Sequence, residues 1–264
     1  MSAPEQTPAG EHGQLGRTKR STPTRGDLWL SRYLIPQFYD APPPFDDWHG
    51  SVDYQWFGND KLRNCTSVMI AHMLQQRCAL IGEKCTLTLE QVIDHYSRAT
   101  GYRPGESHTD TGGQNDDALK EARTNGIGDY KTEANLRVNV HDLVELKASL
   151  HSFGSVLVGA NLPQRVFEQG DDWFVPVKRD ARDVIGSAGG HAFLLTGYEK
   201  GWWYALPWRK RVRFPDHWLL SHIDEGSIVI DKRWVTKTRA APNGFDLARL
   251  IHDFQAIGRT LPGI

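Results

Sequence analysis

"FGNDKLRNCTSVMIAHMLQ", Phe57 to Gln75, sets a polar, turn-prone segment directly against an apolar helical one, with Cys65 at the junction. Val68, Ile70, Ala71 and Leu74 make a helix from about Asn64 to Gln76 apolar on more than one side, so it belongs inside the molecule. A cysteine at the first turn of such a helix has two readings. It is a packed thiol, as buried cysteines commonly are, or it is a nucleophile. A thiol attacks as thiolate, and its free pKa near about 8.5 leaves little of that form at neutral pH. A helix N-terminus and an adjacent imidazolium both favour the anion.

Outward from this stretch the first half of the chain is helical. "TLEQVIDHYSRATG" opens on Thr88 as a cap and stops at Gly101. "NDDALKEARTNG" carries acids in its first turn, which suits the helix dipole, and "NVHDLVELKASLHSFG" predicts a helix over about Val140 to Phe153. The pattern then changes to short β-branched or aromatic runs: "SVLVGANL", "GHAFLLTGYE", "WWYAL", "RVRF" and "GSIVID". "GFDLARLIHDF" closes with a helix capped by Asn243 or Asp246. Helices followed by antiparallel strands give an α+β order, with a mainly helical half over 28–153 and a mainly β half over 154–264. "LWLSRYLIPQFYDAPPPFDDW" reads as an extended arm on the surface.

Residues 1 to about 27 are rich in Pro, Gly, Ser, Thr and charge and are expected to form a mobile tail. Its Arg25-Gly26-Asp27 tripeptide reads as a chance occurrence. The tail lacks the apolar core of a secretory signal. With only Cys65, Cys78 and Cys85 in the chain, a reducing, cytoplasmic setting without a disulfide framework is the expectation. A net charge of -1 provides no footprint for nucleic acid or an acidic membrane. No apolar run approaches the roughly 18 residues of a membrane span. No Cys/His spacing resembles a zinc site and no Rossmann or P-loop glycine pattern occurs, so neither metal nor cofactor is expected.

The partner of a reactive Cys65 would be one of eleven histidines. His72 reads as a packed or edge residue of the Cys65 helix, and His95, His141, His151, His217, His222 and His252 as solvent-facing. His191 differs, because "SAGGHAFLLTGY" puts it at the start of the most apolar strand after two glycines. By itself that is also how a strand-end histidine bonded to backbone looks.

From Asn59 to about Asp231 the chain resembles the papain-like cysteine peptidases, including their distant bacterial and phage relatives. Four segments match in order. "NDKLRNC" resembles the segment before the catalytic cysteine, with Asn59 where the family has a Gln that supplies an oxyanion donor. "GGQNDDALKEARTNGI" reproduces the family's glycine pair and its following spacing, and "GSVLVGANL" resembles the strand that opens the β half. "GGHAFLLTGY" resembles the catalytic histidine strand. The resemblance implies a papain-like fold with a cleft between its halves, Cys65 as nucleophile, His191 as its partner, Asn59 in the oxyanion hole, and Gly112 and Gly113 as a wall of a peptide- or protein-binding cleft. It implies a thiolate–imidazolium pair that cleaves a peptide or amide bond through a thioester.

The pattern also departs from the family. Leu206 occupies the position of the family Asn that orients the histidine, if Trp208 takes the place of the family tryptophan. The ring is then held by a backbone carbonyl, by a carboxylate such as Asp216 or Asp224, or by nothing. Leu62 and Asp110 stand where the family has a disulfide. Two functions follow: a thiol hydrolase acting as peptidase, amidase or acyl transferase, or a degenerate papain-like module that binds peptide or protein. "WWYALPWRKR" and the basic cluster Arg209 to Arg213 read as strand and solvated turn rather than a pocket. The sequence sets neither the substrate nor the oligomeric state.

Overall fold

A computed structural model describes residues 12–20, 27–34, 44–47, 52–231 and 246–256; Arg25, Gly26 and Asn243 lie outside them. The helices are α1 (Cys65–Leu80), α2 (Leu89–Thr100), α3 (Asn115–Thr124), α4 (Leu143–Phe153), α5 (Asp216–His222) and α6 (Leu247–Ala256). The strands are β1 (Phe45–Asp47), β2 (Thr132–Val138), β3 (Val156–Leu162), β4 (Gly189–Glu199), β5 (Trp202–Leu206), β6 (Val212–Pro215) and β7 (Ile223–Asp231). They form an antiparallel sheet in the order β2-β7-β3-β4-β5-β6. Beside the last residues of β4, Gly197 to Glu199, β1 continues the edge where β3 has ended.

Because α1 is apolar all round, it is buried between the sheet and the other helices. Nearly every side chain from Cys65 to Cys78 is inside, and the helix packs on β4, α2 and α3. α2 begins at a capping box in which Thr88 and Gln91 satisfy each other's backbone N–H groups, and ends at Gly101 with φ 81°. α4 starts later than expected, at Leu143, because the Asp142 carboxylate accepts from the N–H groups of Val144 and Glu145. Asp246 caps α6 through the N–H of Arg249.

The α+β class, the five expected strands and the five expected helices are present, with four corrections. First, "TEANLRV" forms β2 inside the helical half and pairs with β7, so the two halves share one sheet. Second, "DHWLLSH" forms the short helix α5 after β6, where no helix is expected. Third, His95 and His222 are buried rather than solvent-facing. His95 lies between the Ser67 hydroxyl at 2.9 Å and the Ala118 carbonyl at 3.1 Å, and the His222 ring stacks on Trp218 with centroids 4.3 Å apart. Fourth, residues 12–20 are not a free tail but lie along the protein with regular main-chain hydrogen bonds. Composition predicts whether a segment can fold alone, whereas this segment is ordered by backbone groups supplied from elsewhere.

Under the sheet an aromatic group joins β4, β6 and α5. Phe214 stands 4.4 Å from Trp218, 6.1 Å from Trp173 and 6.2 Å from Phe193, centroid to centroid, and all four are buried. Phe214→Ala is expected to lower the free energy of unfolding by about 3–5 kcal/mol, the usual cost of such a cavity. Val177→Ala, at a fully exposed side chain, should change it by less than about 0.5 kcal/mol. Urea denaturation of the two variants checks this, and equal small effects would contradict the packing described.

Candidate active site

The turn before α1 is built from polar contacts. Phe57 and Gly58 both have positive φ, 46° and 85°. The strained Phe57 is held in place because its carbonyl accepts from the Asn64 side chain at 2.9 Å. The Asn64 carbonyl then accepts from the N–H groups of Ser67 and Val68 at 3.0 and 3.1 Å, starting the helix at Cys65. The Cys65 sulfur is buried and lies where the backbone N–H groups of Ala192, Gly16 and Thr66 reach it. One of these belongs to α1, one to β4 directly after His191, and one to the N-terminal segment.

His191 sits in β4 opposite Ala160 of β3. Its Nε2 is 2.6 Å from the carbonyl oxygen of Pro207. A carbonyl only accepts, so Nε2 carries the hydrogen and Nδ1 keeps a free lone pair. Nδ1 is buried and has no hydrogen-bond partner. The orienting group is thus a main-chain carbonyl next to Leu206. Asp216 instead accepts from the Trp203 indole at 2.6 Å, and Asp224 holds Arg17 and Asn161. Trp208 covers the imidazole with ring centroids 4.9 Å apart.

Residues 12–20 run through this site as a strap. The Gly16 carbonyl accepts from Gly113 N–H at 2.8 Å, Thr18 N–H donates to the Gly113 carbonyl at 2.9 Å, and Arg17 N–H donates to the Gly190 carbonyl at 3.0 Å. Asn59 is buried and its Nδ2 donates to the Gln14 carbonyl at 3.1 Å and to the Leu62 carbonyl at 3.0 Å. The Asn59 amide therefore already holds a carbonyl oxygen. His12 packs edge-on against Trp208 and Phe167, 4.9 and 5.2 Å away. The structure brings Cys65, the His191–Ala192 stretch, Asn59 and the Gly112–Gly113 pair around a single extended peptide.

The architecture recurs in solved structures. Xylellain, a cysteine protease from Xylella fastidiosa, superposes with a TM-score of 0.67 over 83% of this chain and 96% of its own, at 14% identity. The proCathepsin B S9 of Trypanosoma congolense matches at a TM-score of 0.54 over 82% of this chain and 86% of its own, at 10% identity. Digestive procathepsin L 3 of Tenebrio molitor larval midgut matches at 0.52 over 77% and 75%, at 16% identity. The chain has the papain-like cysteine protease fold. No protein-family pattern matches its sequence, and no curated protein matches it either, so at these identities the likeness carries the fold alone.

Within this papain-like fold the electrostatics differ from the expected ion pair. Burial pushes the Cys65 thiol up, against the three N–H groups and the more distant Arg17 charge, which pull it down. Burial also lowers His191 to about 4, against the Pro207 hydrogen bond. With the strap seated, a neutral thiol and a neutral imidazole are favoured over thiolate and imidazolium. The helix dipole is present, but excluding water from both groups outweighs it.

Three features escape sequence reasoning. The strap is one; its signal was Gly13 and Gly16, since a side chain at Gly16 would meet the Arg63 carbonyl oxygen at 2.0 Å. The Pro207 carbonyl is another, and no residue type marks it. The third replaces the family disulfide: the Asp110 carboxylate accepts from Arg63 N–H at 3.1 Å and from the Tyr96 hydroxyl at 2.7 Å, while Gly112 N–H donates to that hydroxyl at 3.0 Å. Asp110 thus ties the loop before Cys65 to the glycine pair. Among the described residues no helix is long and apolar enough to cross a membrane, and no cluster of three or more His, Cys, Asp or Glu could hold a metal.

Two outcomes follow. In the native chain at pH 7, iodoacetamide should label half-buried Cys85 faster than Cys65, and Gly16→Val should raise the Cys65 rate at least about tenfold, a barrier change of about 1.4 kcal/mol. Peptide mapping by mass spectrometry reads both rates. An unchanged Cys65 rate would mean that the strap does not shield it.

The second outcome concerns acid. His72, His95 and His191 are each held by burial near about 4, below the ordinary 6.5. The unfolded chain binds these protons first as pH falls. Their stabilisation is therefore complete above about pH 6.5 and declines toward pH 4, by up to about 1.4 kcal/mol per pH unit for each. Glu145, raised by burial from 4.5 to about 7, opposes this as one group against three. Urea unfolding should give lower stability at pH 5 than at pH 7, and the reverse order would contradict it.

Proposed function

We propose that this chain is a papain-like thiol hydrolase, a peptidase or amidase in which Cys65 attacks a carbonyl and His191 manages the proton. The observation that carries this reading is the orientation of His191. With Nε2–H committed to the Pro207 carbonyl, Nδ1 is left as a buried, unpaired base on the strand whose next residue, Ala192, turns its N–H toward Cys65. A buried nitrogen lone pair without a partner is costly in a structural histidine, and it is what a proton acceptor needs.

In this reading the cycle draws on groups that lie along the strap. As the strap leaves and a peptide enters, Nδ1 takes the Cys65 proton and the thiolate attacks the carbonyl carbon. The oxyanion is bound by the Asn59 amide and by N–H groups at the start of α1, with the dipole behind them. The imidazolium then protonates the leaving amine, giving a thioester that water hydrolyses with His191 as base. Gly112 and Gly113 bind the peptide main chain, as Gly113 now binds the strap. The seated strap makes this conformation a latent one.

A full-length Gly16→Val protein is expected to hydrolyse a capped fluorogenic peptide. In that background Cys65→Ala should abolish turnover, and Asn59→Ala should lower kcat by about 10²–10³, as loss of one oxyanion donor does elsewhere. Single-turnover assays with mass detection of a Cys65 acyl adduct provide the check. Turnover that survives Cys65→Ala would overturn the assignment.

A further inference from the structure

Beside the reacting groups, the strap inserts one side chain into the protein. Arg17 is almost fully buried, with its side chain 1% exposed. Its Nη1 and Nη2 reach both oxygens of Asp224 at 3.2 and 2.6 Å, and its Nε donates to Glu225 Oε1 at 2.9 Å. The two acids open β7, at the kink where the β3–β7 register shifts between Gly159 and Ala160. Gly159 provides the room: a Cβ there would come within 2.5 Å of the Arg17 Nε and 2.6 Å of Glu225 Oε1.

The receptor is built without the strap. The Asn161 amide donates to Asp224 Oδ2 at 2.8 Å, the Asn115 amide donates to Glu225 Oε1 at 3.0 Å, and Arg137 reaches Glu225 Oε2 at 3.4 Å. These three come from β3, α3 and β2, and they hold the two carboxylates from the body of the protein. Their charges are not balanced by the body of the protein. Among the described residues, Arg137 is the cation of the body that pairs with this acidic group, reaching Asp116 and Glu225, while Arg17, Lys19 and Arg20 arrive with the strap. Once the strap leaves, half-buried carboxylates remain beside the cleft and favour any cation that fits.

The pocket is also in register with the cleft. Arg17 N–H bonds the Gly190 carbonyl directly before His191, and its neighbour Gly16 is the residue against the Cys65 sulfur. We infer that Asp224 and Glu225 are specificity-determining residues that select an arginine side chain in a peptide bound across the site, one residue from the one held at Cys65. This rests on the thiol-hydrolase reading and adds its substrate class. The planar guanidinium fork satisfies two carboxylates at once, which an ammonium does not, so arginine should exceed lysine.

The test is a binding measurement, independent of turnover. Full-length protein carrying Cys65→Ala, Gly16→Val and Arg17→Ala has an unreactive site, an unseated strap and an empty pocket. Fluorescein-labelled, capped tetrapeptides with arginine, lysine, norleucine or glutamate at one position are titrated against it by fluorescence anisotropy. Arginine should bind at least about tenfold tighter than norleucine, with lysine between them and glutamate weakest. Adding Asp224→Asn and Glu225→Gln, isosteric and neutral, should bring arginine to the norleucine level. Equal affinity for arginine and norleucine, retention of the preference in the Asn/Gln variant, or absence of arginine-peptide binding would each overturn the inference. If the triple variant fails to fold, Cys65→Ala with Gly16→Val alone is titrated, with the same outcomes. An inert Cys65 would sink the hydrolase reading but leave these affinities untouched, whereas a pocket blind to arginine would leave hydrolysis possible.

Discussion

Three stretches of main chain meet at one cysteine, and the site depends on their being able to do so. The first turn of α1, the β4 strand at Ala192 and the strap at Gly16 each direct an N–H at Cys65. Such an approach leaves no room for side chains. A Cβ at Gly16, Gly112 or Gly190 would lie within about 2 Å of a backbone carbonyl oxygen: 2.0 Å from Arg63, 1.8 Å from Gly16 and 2.1 Å from Arg17. The glycines are thus the geometric condition for the strap to lie between the helical half and the sheet.

Placing these groups together and dry has an electrostatic consequence. A helix N-terminus and a nearby imidazole stabilise a thiolate only when the two charges can form together, and low dielectric penalises each one. With the strap seated, water is excluded and the neutral forms are favoured. On the proposed reading the same elements hold a latent pair with the strap seated and a competent pair without it, with solvent access rather than rearrangement of the fold separating the two. Main-chain hydrogen bonds hold the strap in a groove whose shape is set by the rest of the protein.

Much of the fold was legible because it is written in long periodic segments. The apolar stretch around α1, the Thr88 cap and the run from Gly189 to Glu199 each announce their element. β2 was not, because Glu133, Asn135 and Arg137 break its apolar pattern, although Glu133 and Arg137 are buried. Cys65, His191, Asn59 and the glycine pair were singled out only through their order and spacing; backbone and side-chain contacts set them along the strap, and their roles belong to the proposed function. The Pro207 carbonyl could not have been read, since every residue has such an acceptor. The strap reads as a tail because its binding uses backbone groups and the side chains of His12, Arg17, Lys19 and Arg20, which a polar tail also contains. Leu206, at the position of the family Asn, leaves a backbone carbonyl, a carboxylate or nothing to hold the ring, and the Pro207 carbonyl is the group that does so.

The claim on which the rest turns is that His191 is a neutral base, hydrogen-bonded through Nε2–H, whose proton uptake is governed by the strap. Its ring-nitrogen chemical shifts, followed by nitrogen-15 NMR in histidine-labelled native protein and in Gly16→Val, report this directly. The account predicts an Nε2–H tautomer with unprotonated Nδ1 at pH 6 in the native chain, persisting toward pH 4. In Gly16→Val it predicts protonation of Nδ1 at neutral pH, lost when Cys65 is also replaced by alanine. A His191 that is already imidazolium in the native chain at pH 6, or one whose state ignores both substitutions, would contradict it.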